Sequence, residues 1–210
     1  MDEAASDIQP GATSQSDTVT AAAATGPTPP GVPAFVADST AAGDSTVVSA
    51  SPAAIRSVYT SLAQADCRLL EQDEETGGTS SRCPGTAGHA LLVHDDDARM
   101  TVDVVAPEGR AHPLRYSGVI TSNFSSLGPR AEWRMRDGKP VALIVRVNAF
   151  ENPEIPDRAT SYLTVAKITA RAVCVTDRIP PTTPNANEAA QRAADSSALR
   201  PCMRDLADQR

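Results

Sequence analysis

Ala131-Glu132-Trp133-Arg134-Met135-Arg136-Asp137-Gly138-Lys139-Pro140-Val141-Ala142-Leu143-Ile144-Val145-Arg146-Val147-Asn148-Ala149-Phe150 is the stretch on which the fold turns. Ala131 to Arg136 and Val141 to Phe150 read as strands, joined through Asp137-Gly138, a dipeptide that supplies the positive φ angles of a tight hairpin turn. This is the firmest pairing in the chain, and the segments around it extend the β reading.

Upstream, Ala90-Leu91-Leu92-Val93 is a short apolar run. Met100, Val102 and Val104 alternate with Thr101, Asp103 and Val105, the period of a half-buried strand, with the acidic turn Asp95-Asp96-Asp97 between the two segments. Downstream, Tyr162 to Ile168 and Ala172 to Val175 form a second hairpin whose turn, Thr169-Ala170-Arg171, carries no glycine, and Pro180-Pro181 stops the sheet. The strong helix formers from Glu188 to Asp195, introduced by Pro184-Asn185-Ala186-Asn187, predict a helix. Near the start of the folded part, Ile55, Val58, Tyr59 and Leu62 fall at helical spacing behind Ser51-Pro52, so a helix of two or three turns is expected there. Cys67-Arg68-Leu69-Leu70 reads as an entering strand and Glu71 to Ser81 as a surface loop. Strands in the middle and helices at the edges make the class α+β, a mainly antiparallel sheet with short flanking helices.

Residues 1–50 are mostly Ala, Thr, Ser, Gly, Asp and Pro, with too few apolar side chains to repay the entropy of ordering them. They are expected to form a disordered linker ahead of a single domain over residues 51–210. Among 210 residues, 19 Lys and Arg face 26 Asp and Glu, a net charge of −7 that argues against general affinity for nucleic acid or anionic membrane. One Trp, three Tyr and three Phe leave no visible platform for base stacking. No stretch approaches the ~20 apolar residues of a membrane span.

Cys67, Cys83, Cys174 and Cys202 are an even number without C-x-x-C spacing, which removes the common zinc and thioredoxin-like readings. Three disulfide connectivities are open. The pairs 67–83 and 174–202 are favoured, because the first flanks the loop at Gly77-Gly78 and the second brackets the C-terminal helix. Disulfides imply an oxidising compartment, periplasmic or outside the cell, yet Met1-Asp2-Glu3 is no signal peptide. A mature chain restarted with Met reconciles the two, as does a native N-terminus carrying a lipid anchor; the competing reading is a cytosolic chain with four reduced thiols.

Tyr59-Thr60-x-Leu62, Cys67, an acidic loop, Cys83-Pro84-Gly85, Asp97-x-Arg99 and Leu127-Gly128-x-x-x-Glu132-Trp133-Arg134 come one after another in an order that resembles a family of small exported proteobacterial proteins with four cysteines and no assigned activity. Thr164 to Ile168, Cys174, Pro184 to Asn187, Ala189, Ala193, Ala194 and Asp195 are similar to that family's C-terminal half, and the chain departs from it in lacking a glycine turn before Cys174. The resemblance covers about Tyr59 to Cys202. It implies export and domain boundaries, with no catalytic residue to carry over.

For chemistry, Asp95-Asp96-Asp97 and Asp73-Glu74-Glu75 offer oxygen ligands without the spacing of a calcium loop, and solvated turns are the preferred reading. His89 and His94 fall on opposite faces of a continuous strand, His112 sits in a Pro-flanked loop, and His94 with Asp96 is the remaining metal pairing. No cofactor or metal is therefore expected. There is no G-x-S-x-G elbow. Trp133 with Arg130, Arg134 and Arg136 is the most suggestive binding group, since Trp and Arg are enriched at hot spots, although an inward Trp133 would be plain core. Glu132 is the carboxylate of most interest, either catalytic or paired with Arg134 or Arg136. The expected function is an exported, non-catalytic module that binds an envelope protein or ligand. The alternative is a periplasmic hydrolase or metal-dependent enzyme gathering Glu132, His94 or Asp97 in a cleft.

Overall fold

The computed structural model of the protein describes residues 54–209 apart from Pro153 and Pro156, and the expected linker at residues 1–50 lies outside them. In chain order the strands are β1 (Arg56–Ser61), β2 (Arg68–Gln72), β3 (Thr79–Cys83), β4 (Ala90–Asp96), β5 (Arg99–Val105), β6 (Ala111–Pro113), β7 (Ser125–Arg136), β8 (Lys139–Ala149), β9 (Thr160–Ile168) and β10 (Val173–Ile179). Two helices join them, α1 (Tyr116–Val119) and α2 (Ala186–Asp195). One sheet runs β10-β9-β8-β7-β5-β4-β3-β2, with β1 added along β7 and β6 along β5. The ladders are antiparallel except for a single parallel bridge, Arg99 with Ser125, that joins β5 to β7.

The β7–β8 hairpin closes at Asp137 and Gly138, with φ of 50° and 74° as the dipeptide requires. The β4–β5 turn differs from expectation. Asp95 and Asp96 stay in the ladder, paired with Met100 and Arg99, and the positive φ angles fall on Asp97 and Ala98, at 51° and 55°. Having β3 on one side and β5 on the other, Asp95 has ladder partners in both directions, which holds it in the sheet. The loop expected over Glu71 to Ser81 is likewise shorter, because β2 runs on to Gln72 and β3 starts at Thr79.

The segment expected to be a helix at Ile55 to Leu62 is β1. Val58, Thr60 and their neighbours suit a strand, and the free edge of β7 offers a ladder from Arg56 opposite Met135 to Ser61 opposite Arg130. Its proposed cap, Ser51-Pro52, lies outside the described residues. His112, expected in a loop, sits on β6 opposite Val104.

Strand alternation sorts the side chains into two layers. The concave face carries Leu91 and Val93 of β4, Val102 and Val104 of β5, Ala131, Trp133 and Met135 of β7, and Leu143, Val145 and Val147 of β8, all in one core. Because β10 comes back against β6, the sheet wraps around that core, and α1 plugs it with Tyr116, Val119 and Ile120. Burial drives the Tyr116 hydroxyl well above its ordinary pKa, with a nearby Thr164 hydroxyl offsetting part of the effect. On the convex face, Ala142, Ile144, Leu163 and Val165 receive Ala190, Ala193 and Ala194 of α2. The small residues at those helix positions let the backbone approach the sheet closely.

Two disulfides complete the fold as the spacing predicts, Cys67–Cys83 and Cys174–Cys202, and no cysteine is free. With sequence separations of 16 and 28, chain-entropy arguments value them at about 3 and about 3.5 kcal/mol. The second anchors a C-terminal strap: Met203 N–H donates to the Val175 carbonyl at 2.8 Å and Asp205 accepts from Arg115 at 2.8 Å. Glycine is obligatory at position 85, where a Cβ would sit 2.2 Å from the His89 carbonyl oxygen.

Candidate functional site

A sheet wrapped around a core has two open ends. The start of β5, the start of β7 and the end of β8 meet at one of them, where Asp95, Arg99, Phe124, Ser125, Phe150 and Glu151 border a cleft of about 670 Å³. Asp95 continues the concave face of Leu91 and Val93, two residues at a time along β4, so its side chain arrives where the core ends. Met100, packed against the core from the facing strand, supplies part of the floor.

Phe124 is 50 % exposed, large for an aromatic in a chain so poor in them. Its carbonyl accepts from Phe150 N–H at 2.9 Å, which fixes the two phenylalanines side by side at the ends of adjacent strands. The Arg99 guanidinium carbon stands 4.9 Å from the Phe124 ring centroid, a cation–π contact. Arg99 is held there by Asp97, its ion-pair partner, and by the Ser122 carbonyl at 3.3 Å. Behind Phe150, both Glu151 oxygens accept from the Tyr162 hydroxyl at 3.0 Å. Burial, with that carboxylate next, raises the Tyr162 pKa.

Among the described residues, two polar atoms of this cleft's lining have no hydrogen-bond partner. Ser125 is 3 % exposed and its Oγ is buried without a hydrogen bond, and so is Oδ1 of Asp95. An unpaired buried polar atom costs roughly 1–3 kcal/mol. A ligand that displaced the groups covering these two oxygens, and brought a donor to Asp95 and a partner to Ser125, would relieve that cost.

The residues expected to form a binding patch are placed otherwise. Trp133 is 0 % exposed in the core, its Nε1–H donating to Thr60 Oγ1 at 2.9 Å, and of the group only Arg130 and Arg136, at either end, are fully at the surface. Glu132 and Arg134 alternate with Trp133 and point to the convex face, under α2. There Arg134 makes a two-pronged pair with Asp195, Nε at 2.7 Å and Nη2 at 2.9 Å, while Gln191 donates to Glu132 at 2.8 Å. The Asp195 carboxylate holds the Arg134 guanidinium above its usual pKa against the opposing effect of burial. These residues clamp α2 to the sheet. The patch fails as a surface because alternate residues of β7 are covered from both sides.

Nor are the three residues of the enzyme alternative brought together. Glu132 belongs to the α2 clamp, Asp97 to the turn with Arg99, and His94 to the outer face of β4. His94 meets a different pair: its Nδ1 is 3.0 Å from Ser80 Oγ on β3 and its Nε2 is 3.2 Å from Asp103 Oδ2 on β5. Ser, His and Asp in that order have the geometry of a nucleophile relay. The pocket beside it, however, is lined by Glu71, Asp73 and Asp96 and by no Lys or Arg, a setting hostile to a developing oxyanion. Asp73 itself is held below its usual pKa by the backbone N–H groups of Thr76 and Glu75. Among the described residues no three His, Cys, Asp or Glu are grouped to hold a metal ion.

Compared with family models, curated proteins and solved structures, the chain matches none. Two closed disulfides are the chemistry of an oxidising compartment rather than the reducing cytosol. Among the described residues no helix is long and apolar enough to cross a membrane.

In the sequence, the cleft was signalled only by Phe124, a large aromatic set among Ser and Asn. Ser125 and Asp95 gave no sign, since their isolation depends on a fold that joins β5 to β7.

Proposed function

We propose that the protein is an exported binding module, related to the small four-cysteine envelope proteins it resembles, that takes a compact amphipathic ligand in the aromatic cleft without transforming it. The observation that carries this reading is the pair of buried, unpartnered oxygens, Ser125 Oγ and Asp95 Oδ1, in a cleft walled by Phe124 and Phe150. A volume of about 670 Å³ matches small-molecule sites, which combine apolar walls with a few convergent polar groups. The ligand that fits has an apolar ring or chain for the phenylalanines and a hydrogen-bond donor for Asp95.

Phenethylamine is a minimal probe of that kind. In a titration followed by amide chemical shifts, saturable changes are expected at Phe124, Ser125 and Phe150. Phe124→Ala should weaken binding at least tenfold, about 1.4 kcal/mol, while leaving the melting temperature nearly unchanged because the ring is half in solvent. Saturating probe with no response at these amides would sink the reading.

The Ser80–His94–Asp103 relay supports a second reading, hydrolysis. A fluorophosphonate reports it directly: the Ser80 Oγ–phosphorus bond would form, fluoride would leave and His94 would take the proton. With Glu71, Asp73 and Asp96 beside the relay, no label on Ser80 is expected by intact mass. Labelling that disappears in both Ser80→Ala and His94→Ala would instead establish the hydrolase and remove the non-catalytic reading.

A further inference from the structure

The opposite end of the wrapped sheet has the reverse chemistry. There the β5–β6 loop, the β7–β8 hairpin and the β9–β10 hairpin converge on a groove of about 600 Å³ bordered by His89, Arg110, His112, Lys139, Arg171 and Glu108. Its floor is apolar, with Val104, Ile168 and Val173 among its residues.

The charge of this groove is opposite to that of the chain. The protein carries a net charge of −7, yet the groove gathers three permanent cations, one of them one of only two lysines, and two of the three histidines. Glu108 is the sole carboxylate on its lining. Some arginines outside the groove are neutralised, as in the pairs Arg99–Asp97, Arg115–Asp205, Arg134–Asp195 and Arg200–Asp177. Arg110, Lys139 and Arg171 have no carboxylate within 4.0 Å among the described residues. His89 is steadied by the Ala87 carbonyl at Nδ1, 3.3 Å away, and its ring lies 6.0 Å from Trp133.

Like charges brought together on three separate loops repel one another, and an anion in the groove relieves that repulsion in all three at once. The volume and the apolar floor favour a small organic molecule. The lining has no Phe, Tyr or Trp on which a sugar ring or a base could stack. The geometry points to a second ligand site at this end, for a small organic anion bearing two or more negative groups, carboxylate or phosphate, on a compact apolar frame. It lies on the order of 30 Å from the aromatic cleft, the length of β8 at its usual rise per residue, and stands independently of the function proposed for that cleft.

Citrate and pyrophosphate are the probes, titrated into the full chain at low salt by calorimetry and by amide shifts. Saturable binding of at least one is expected, with shifts at Arg110, Lys139 and Arg171; which one binds assigns the head group. Raising sodium chloride from about 50 to about 200 mM should weaken it several-fold, because the rim is solvent-exposed. The double variant Lys139→Ala/Arg171→Ala should lose at least tenfold in affinity. Both side chains are exposed, so an unchanged melting curve verifies that the variant folds. The proposal is overturned if neither probe binds saturably, if the double variant binds as the parent does, or if the groove instead takes up phosphatidylglycerol vesicles while ignoring both soluble anions.

Discussion

Replacing Trp133 by alanine is expected to cost about 3–5 kcal/mol of stability, the range for deleting a large aromatic from a packed core. The residue is fully buried among strands from both halves of the wrapped sheet, so no neighbour can collapse into the space without dragging a ladder with it. The substitution also leaves Thr60 Oγ1 without the indole donor that reaches it at 2.9 Å. For a domain of this size the melting temperature should fall by on the order of 10 °C. Trp133→Phe keeps most of the volume and should recover most of the loss, short of about 1 kcal/mol for the missing hydrogen bond. Urea denaturation of the three proteins checks this. A loss below about 1 kcal/mol for Trp133→Ala would mean that the ring is not in the core.

Arg134→Met is expected to cost about 3 kcal/mol, near the lower end of the range for removing one partner of a buried ion pair. The side chain of Arg134 is 10 % exposed, and its loss strands Glu132 at 14 % and Asp195 at 34 % exposure; the partial hydration of Asp195 moderates the effect. Gln191 would still hold Glu132, but the two-pronged contact that seats the end of α2 is gone. The decisive comparison is the triple variant Arg134→Met/Glu132→Leu/Asp195→Leu. If stranded charge is the cause, removing both carboxylates restores most of the stability, since an ion pair replaced as a whole by apolar groups is often near neutral. If the triple variant is less stable than Arg134→Met alone, the cluster contributes packing and α2 placement that apolar groups do not replace.

Much of the fold was legible because its causes are local. Asp137-Gly138 dictates its own backbone angles, and the alternation of Met100, Val102 and Val104 sets which side chains face inward whatever lies opposite. The disulfides obeyed the same logic, each closing a short excursion. Where the reading failed, distant chain intervened. The spacing of Ile55, Val58, Tyr59 and Leu62 satisfies a helix, but the open edge of β7, some seventy residues later in the register of Val58 with Trp133, made a strand of it. Asp95 and Asp96 look like turn residues until strands are placed on both sides of them.

The functional surface was least legible. Trp133, Arg134 and Glu132 drew attention as residue types, and their types are explained by core and clamp. The Ser80–His94–Asp103 relay spans three strands, and its members share no sequence motif. By itself the sequence determined the class, the hairpins and the acidic balance, because each depends on residues a few positions apart or on composition, and it favoured one of three cysteine pairings. Tertiary structure alone decided that Ser125 Oγ and Asp95 Oδ1 are buried at a cleft bordered by two phenylalanines, and that three cations from three loops share one groove. Both arise from a sheet that wraps until its two ends become clefts, and that curvature is set by pairing between segments far apart in the chain.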